Sequence, residues 1–165
     1  MRKTVIGVMG GCVIDEAAAA AAYELGRGIA VNGWALLNGG RPTGAMDASA
    51  RGAHEAGGLT IGVLYDDDRD NASPHLDIVI PTGMGAGRNI INVLSSDVVV
   101  ACPGNGGTMS EIAMALRFGR RVILLGFDPG AAFLDRCGEG EWSLAGTPAE
   151  AITQIKAWLD RPKDS

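Results

Sequence analysis

The chain has 165 residues, of which 47% are apolar, 20% charged and 5% aromatic. That balance fits one compact domain and excludes disordered, collagen-like and coiled-coil chains. A formal net charge of -5, from 14 Lys and Arg against 19 Asp and Glu, removes the broad basic surface that duplex DNA or an anionic membrane requires.

Any anionic ligand must therefore be held locally. Cys12, Cys102 and Cys137 show no CxxC spacing, and with His54 and His75 they form no zinc-ligand pattern. A reduced, cytoplasmic setting and no metal site are expected. The start, MRKTVIGVMGG, is basic, but its apolar run is short and broken by glycine. No window approaches the ~18 apolar residues of a membrane span, so neither secretion nor membrane insertion is expected.

Short apolar runs rich in β-branched residues recur along the chain: Thr4 to Met9, Trp34 to Leu37, Thr60 to Leu64, Asp77 to Ile80, Asp97 to Ala101 and Arg121 to Leu125. They are apolar at successive positions rather than alternately, as strands buried on both faces are. Helical segments are predicted between them at Asp15 to Val31, Ala45 to Ala56, Gly87 to Ser95 and Thr108 to Phe118. Asp15 can cap the first, and Asn32-Gly33 can end it in the left-handed conformation. Its run of alanines reads as a core helix rather than a low-complexity tract. Thr147-Pro148-Ala149-Glu150 opens a last helix that runs to about Leu159. The rhythm predicts an α/β fold: one Rossmann-like, doubly wound domain over 1–165, with a mainly parallel sheet flanked by helices and a frayed tail at about 161–165.

Ligands of such sheets bind beyond the carboxyl ends of the strands. Glycine, 25 of the 165 residues and about twice the ~7% usual share, clusters in four of those places. The loops are Gly10-Gly11-Cys12, Asn38-Gly39-Gly40-Arg41-Pro42-Thr43-Gly44, Thr82 to Asn89, and Pro103-Gly104-Asn105-Gly106-Gly107-Thr108. Backbone N–H groups in such loops, with a helix start behind them, cradle phosphate without excess Lys or Arg. The alternative for each is a tight turn that needs a positive φ. None matches GxGxxG or GxxxxGK[ST], which disfavours ordinary NAD(P) or ATP-hydrolysing roles.

Arg88, at the predicted start of the third helix, can clamp a phosphate, as can Arg41; each alone also reads as a surface arginine. Glu111 is the carboxylate near the fifth-strand loop, yet Thr108-Met109-Ser110-Glu111 also reads as a capping box. Asp66-Asp67-Asp68-Arg69-Asp70 lacks the Gly and Glu of an EF-hand and reads as a solvated loop. Cys12 and Cys102 follow strands, but His54 lies within a helix, so they read as buried or loop-lining thiols rather than nucleophiles.

The segment Pro103-Gly104-Asn105-Gly106-Gly107-Thr108-Met109-Ser110-Glu111 resembles the PGGxGTxxE signature of the lysine-decarboxylase-like Rossmann proteins. That group includes the LONELY GUY cytokinin-activating phosphoribohydrolases, and the resemblance extends to the molybdenum cofactor carrier proteins of algae and cyanobacteria. It runs from IGVMG at Ile6 to Gly10, through GGR with Gly44 and Met46 and the EAGG and TIGVL stretches, to Arg88, Ile91-Asn92 and Leu94-Ser95-Ser96. The resemblance implies a Rossmann-like fold, a dimer or tetramer, and a phosphate-bearing ligand in the glycine-loop crevice. For a carrier it implies molybdenum cofactor as cargo, with Gly104, Gly106, Gly107 and Thr108 cradling its phosphate, Arg88 clamping it, and a molybdoenzyme as recipient.

For a phosphoribohydrolase it implies Arg88 and Glu111 as the catalytic pair, the carboxylate handling the ribose or the attacking water and the arginine stabilising developing charge. Two departures stand out. Asn105 replaces the second glycine of the signature, a position at which Asn tolerates left-handed backbone. Ahead of the third helix, GAGRN has neither the Glu nor the Lys of the hydrolases' ERK-like motif, which favours the carrier over N-glycosidic cleavage of a nucleoside 5′-monophosphate. DNA-processing proteins share this core, but eight aromatic residues and a charge of -5 are poor equipment for single strands.

Overall fold

Strands that are apolar at every position need cover on both faces, and that need sets the architecture. In a computed structural model, which describes residues 1–161, seven strands form one sheet. They are β1 (Val5–Met9), β2 (Ala35–Asn38), β3 (Thr60–Leu64), β4 (Ile78–Pro81), β5 (Val98–Ala101), β6 (Arg121–Leu125) and β7 (Trp142–Ala145). All neighbours are parallel, in the order β4-β3-β2-β1-β5-β6-β7.

The helices are α1 (Glu16–Val31), α2 (Gly44–Glu55), α3 (Asn89–Ser95), α4 (Gly106–Arg117), α5 (Ala131–Cys137) and α6 (Pro148–Leu159), with a 3-10 turn over Gly85–Arg88. Successive strand residues point to opposite faces. Ile6, Val8, Val98, Val100, Ile123 and Leu125 pack under α1, α2 and α6. Met9, Val99, Ala101, Val122 and Leu124 pack under α3, α4 and α5.

The expected strands and helices are present, with boundaries moved by a residue or two and with several differences. The sheet is parallel throughout. The segment predicted as a helix over Gly87 to Ser95 is a 3-10 turn followed by α3. Helix α4 begins at Gly106, ahead of the predicted Thr108, because Asn105 is its cap. The pattern left α5 and β7 unassigned. Between β3 and β4 the crossover has no helix. Of the tail expected at 161–165, everything beyond Arg161 lies outside the described residues.

Helix α1 begins as expected, with the Asp15 side chain accepting from Ala18 N at 2.7 Å, and ends at Asn32 with Gly33 at a φ of 76°. Its contact with α2 is closer than side chains would permit. A Cβ on Gly26 would lie 2.0 Å from Ser49 O, and one on Gly52 would lie 2.0 Å from Tyr23 O. Each glycine thus admits the other helix's backbone, and the pair fixes α2 against the sheet. We expect Gly26→Ala and Gly52→Ala each to destabilise the fold by about 1–3 kcal/mol through overpacking, despite the ~1 kcal/mol by which Ala exceeds Gly in an open helix. Urea unfolding checks this; an unchanged or raised midpoint would show that the helices separate freely.

Candidate functional site

Strands β2 to β4 extend the sheet in one direction from β1, and β5 returns to β1's other side. Outside the carboxyl ends of strands at such a reversal lies the usual ligand crevice. Here the loops after β1 and β5 are joined by backbone hydrogen bonds, Cys102 N to Met9 O at 2.7 Å and Gly11 N to Pro103 O at 2.9 Å. Gly11 O in turn accepts from Ala45 N in the first turn of α2 at 3.0 Å. A cleft of about 680 Å³ opens there, with Val8, Met9, Val13, Met46 and Tyr65 supplying its apolar walls.

The N-terminus of α4 faces this cleft through Asn105, Gly107 and Thr108. First-turn amides of a helix lack intrahelical acceptors and attract anions. Asn105 Oδ1 accepts from Gly107 N at 3.3 Å. Its backbone is extended, with φ -103°, and no described residue other than glycine has a positive φ. Asn105 therefore serves as a helix cap, not as a substitute for a left-handed glycine.

Arg88 is no surface arginine. It is 8% exposed, its Nη1 donates to Val63 O at 3.0 Å, and its buried Nε has no partner. The guanidinium passes beside Gly39, where a Cβ would lie 2.2 Å from Nη1. Burial lowers its pKa, opposed by the attraction of Glu111. Tyr65 lies 5.5 Å from the Arg88 guanidinium and 4.6 Å from that of Arg41. Arg41 also lies 3.9 Å from Asp66 Oδ2.

Glu111 does not close a capping box. Because α4 starts at Gly106, Thr108 and Glu111 both lie inside the helix and both are buried. The Glu111 carboxyl accepts from Asn92 Nδ2 at 3.2 Å. Burial pushes its pKa up to about 7, against the opposing pull of Asn92 and Arg88.

The structure brings Gly10, Gly11, Gly39, Arg41, Arg88, Asn105, Gly107, Thr108 and Glu111 to the cleft. Three expected residues lie off its lining. Gly40, with a φ of 77°, packs against Gly62 and Leu64. Gly104 gives clearance to Thr108 Oγ1 and Gly11 N and lines a smaller neighbouring hollow with Cys12 and Val13. Gly106 is the first residue of α4.

Cys12 is exposed at the rim, whereas Cys102 is buried, its thiol pushed up to about 12. The reading of glycine loops passed over Met46 and Tyr65. Tyr65 directly follows β3, so its place at a strand's carboxyl end was the available signal. Among the described residues no group of three or more His, Cys, Asp and Glu could hold a metal ion, and no helix is long and apolar enough to cross a membrane.

Together these features define a doubly wound α/β protein with a small-molecule cleft at its strand reversal. The chain belongs to the SLOG cluster4 family, whose model it matches over residues 3–152. It is similar to the molybdenum cofactor binding protein of Rippkaea orientalis, at 45% identity and a TM-score of 0.91, over 96% of this chain and 99% of that one. It is also similar to the molybdenum cofactor carrier protein of Chlamydomonas reinhardtii, at 43% identity and a TM-score of 0.89, over 97% and 100%. A Mycobacterium tuberculosis cytokinin riboside 5′-monophosphate phosphoribohydrolase is 36% identical over 96 residues, 55% of this chain and 50% of that protein.

The raised pKa of Glu111 has a consequence for stability. Between its ordinary 4.5 and about 7 the folded chain holds a proton that the unfolded chain has released. The resulting stabilisation is complete below 4.5 and is lost as pH rises through about 7. We expect Glu111→Gln to remove a decline on the order of 2–3 kcal/mol between pH 5 and pH 8. Urea unfolding of both proteins at the two pH values checks this; parallel changes would contradict it.

Proposed function

We propose that the chain binds molybdenum cofactor, protects it and passes it to a molybdoenzyme. What carries the reading is the union, in one cleft, of α4's first-turn amides with the buried and incompletely bonded Arg88, in a chain alike over nearly its full length to two proteins named for that cofactor. The phosphate of the cofactor would meet the first turn of α4 at Gly107 and Thr108, with Arg88 and Arg41 supplying positive charge. The apolar walls would shield the remainder from water. The metal would arrive already ligated by the cargo, so the chain itself needs no metal ligands.

A second reading is supported by the placement of Arg88 and Glu111 together and by the mycobacterial relative. In it the cleft hydrolyses the N-glycosidic bond of a nucleoside 5′-monophosphate, with Glu111 directing water or ribose and Arg88 stabilising negative charge. Against it stands GAGRN, which lacks the acidic and basic partners of the hydrolase motif. We further propose a homo-oligomer, a dimer or tetramer. Ile78 and Ile80, at alternate positions of edge strand β4, are exposed, and covering them would remove apolar surface from water.

The decisive experiment is anaerobic incubation with molybdenum cofactor, followed by gel filtration and assay of pterin and molybdenum in the protein peak. Near-stoichiometric retention is expected. Arg88→Ala, checked for folding by circular dichroism, should weaken retention by about 10-fold or more, since a hydrogen bond to a charged group contributes ~1.5–3 kcal/mol. Retention no better than that of an unrelated Rossmann domain would overturn the carrier. Base release from nucleoside monophosphates, abolished by Glu111→Ala, would then establish the hydrolase.

A further inference from the structure

Glu111 is the one carboxylate among the described residues lining the cleft, and phosphate binding gives it no task. It is 7% exposed. Its Oε1 is held by Asn92 Nδ2 from α3 at 3.2 Å, and no described hydrogen bond engages Oε2. Asn92 is fully buried, so it cannot swing away with the carboxyl. Arg88 is the charged group that faces Glu111, but its Nη1 is taken by Val63 O and its Nε has no partner.

The cleft thus holds a mostly buried carboxylate with one described hydrogen bond and, within electrostatic reach of it, an arginine whose buried Nε has no partner. Such groups are costly unless a ligand completes them.

Their position divides the cleft. Phosphate is drawn to the first turn of α4, whereas Glu111 lies one turn further along, about 5 Å of helix rise, and repels an anion. The part of the ligand that meets Glu111 must instead bring N–H groups. A carboxylate accepts two parallel N–H donors at once. The edge of a 2-amino-4-oxopyrimidine ring presents such a pair, an amino group and a ring N–H, beside a carbonyl that accepts. The flanking Met9, Met46 and Tyr65 are suited to the faces of a flat ring.

We propose that Glu111 reads the heterocycle of the cargo: its carboxylate accepts the paired N–H donors of a pterin's aminopyrimidinone edge, Asn92 holds the carboxylate in place, and the Arg88 guanidinium supplies positive charge toward the ring carbonyl. This rests on the carrier reading. It makes Glu111 and Arg88 binding residues and Asn92 a positioning residue.

The test compares two probes by calorimetry: the phosphate monoester of 6-hydroxymethylpterin, and the matching lumazine, in which an oxo group replaces the 2-amino group. Wild type should prefer the pterin by about 10–100-fold at pH 7.5, where the ring N–H is largely retained, because the oxo group of the lumazine sets an acceptor against the carboxylate. Glu111→Gln should bring the preference to within about twofold while the lumazine still binds, and should cut molybdenum cofactor retention by about 10-fold.

Wild type alone supplies a measurement free of folding effects. As Glu111 takes up its proton between pH 7.5 and pH 6, the pterin preference should collapse; in this window the ring N–H groups of both probes stay largely protonated, and the phosphate ionises alike in both and cancels from the ratio. An equal affinity for the two probes in a wild type that retains the cofactor overturns the role of Glu111 alone. So does a ratio independent of pH, or unchanged retention by Glu111→Gln. Failure of wild type to retain the cofactor overturns the carrier reading, and this proposal with it.

Discussion

Gly11 uses both its backbone groups to join three segments that are far apart in sequence. Its N–H donates to Pro103 O in the loop after β5, and its carbonyl accepts from Ala45 N at the start of α2. Little room is left around this junction. A Cβ on Gly10 would lie 2.5 Å from Ala45 Cβ, and one on Gly44 would lie 2.1 Å from Gly11 O. With the junction made, the start of α4, the Gly39 loop and the 3-10 turn bearing Arg88 border one cleft. Each loop alone would be a turn between a strand and a helix; joined, they form a site.

The cleft gathers two arginines and the start of α4 although the chain carries a net charge of -5. That contrast follows from the short reach of the groups involved. Oriented amides at a helix start act over about one turn, and a buried guanidinium is screened far less than one in water. Arg88 reaches its place because Gly39 has no side chain to block it, and it is anchored by the carbonyl of Val63. A lysine would present all its donors from one atom at the end of a flexible stem, and could not hold that carbonyl while fixing a second donor at a separate position.

Much of this was legible in the residues. The uninterrupted apolar character of Val98 to Ala101 and of Val122 to Leu125 announced strands covered on both faces, and the glycine clusters marked the right end of the sheet. Strand β7 escaped because Trp142, Ser143 and Leu144 are only partly covered at the edge, which leaves a weak pattern. Helix α5 escaped because it has seven residues and follows Gly130, a capping residue with no side chain to bond the first turn.

The site residues were harder to separate because glycine serves two needs that look alike in sequence. Gly107 faces the cleft, whereas Gly40 and Gly104 make room for neighbouring parts of the chain. The role of Glu111 turned on where α4 begins. With Thr108 as the cap it would sit in the first turn as a backbone acceptor; with Asn105 as the cap it lies on the buried side, against Asn92.

The reciprocal glycines of α1 and α2 reach further than local packing. Helix α2 carries Gly52 at the crossing and Thr43 and Met46 at the cleft, and Asn38 Nδ2 ties Met46 O to the loop that accommodates Arg88. The helix is therefore a stiff lever with its fulcrum at the crossing and its working end at the cleft. A side chain wedged in at Gly52 would push on the helix that forms one wall of the cleft, so damage remote from the cleft would reach it mechanically, without altering any residue that lines it.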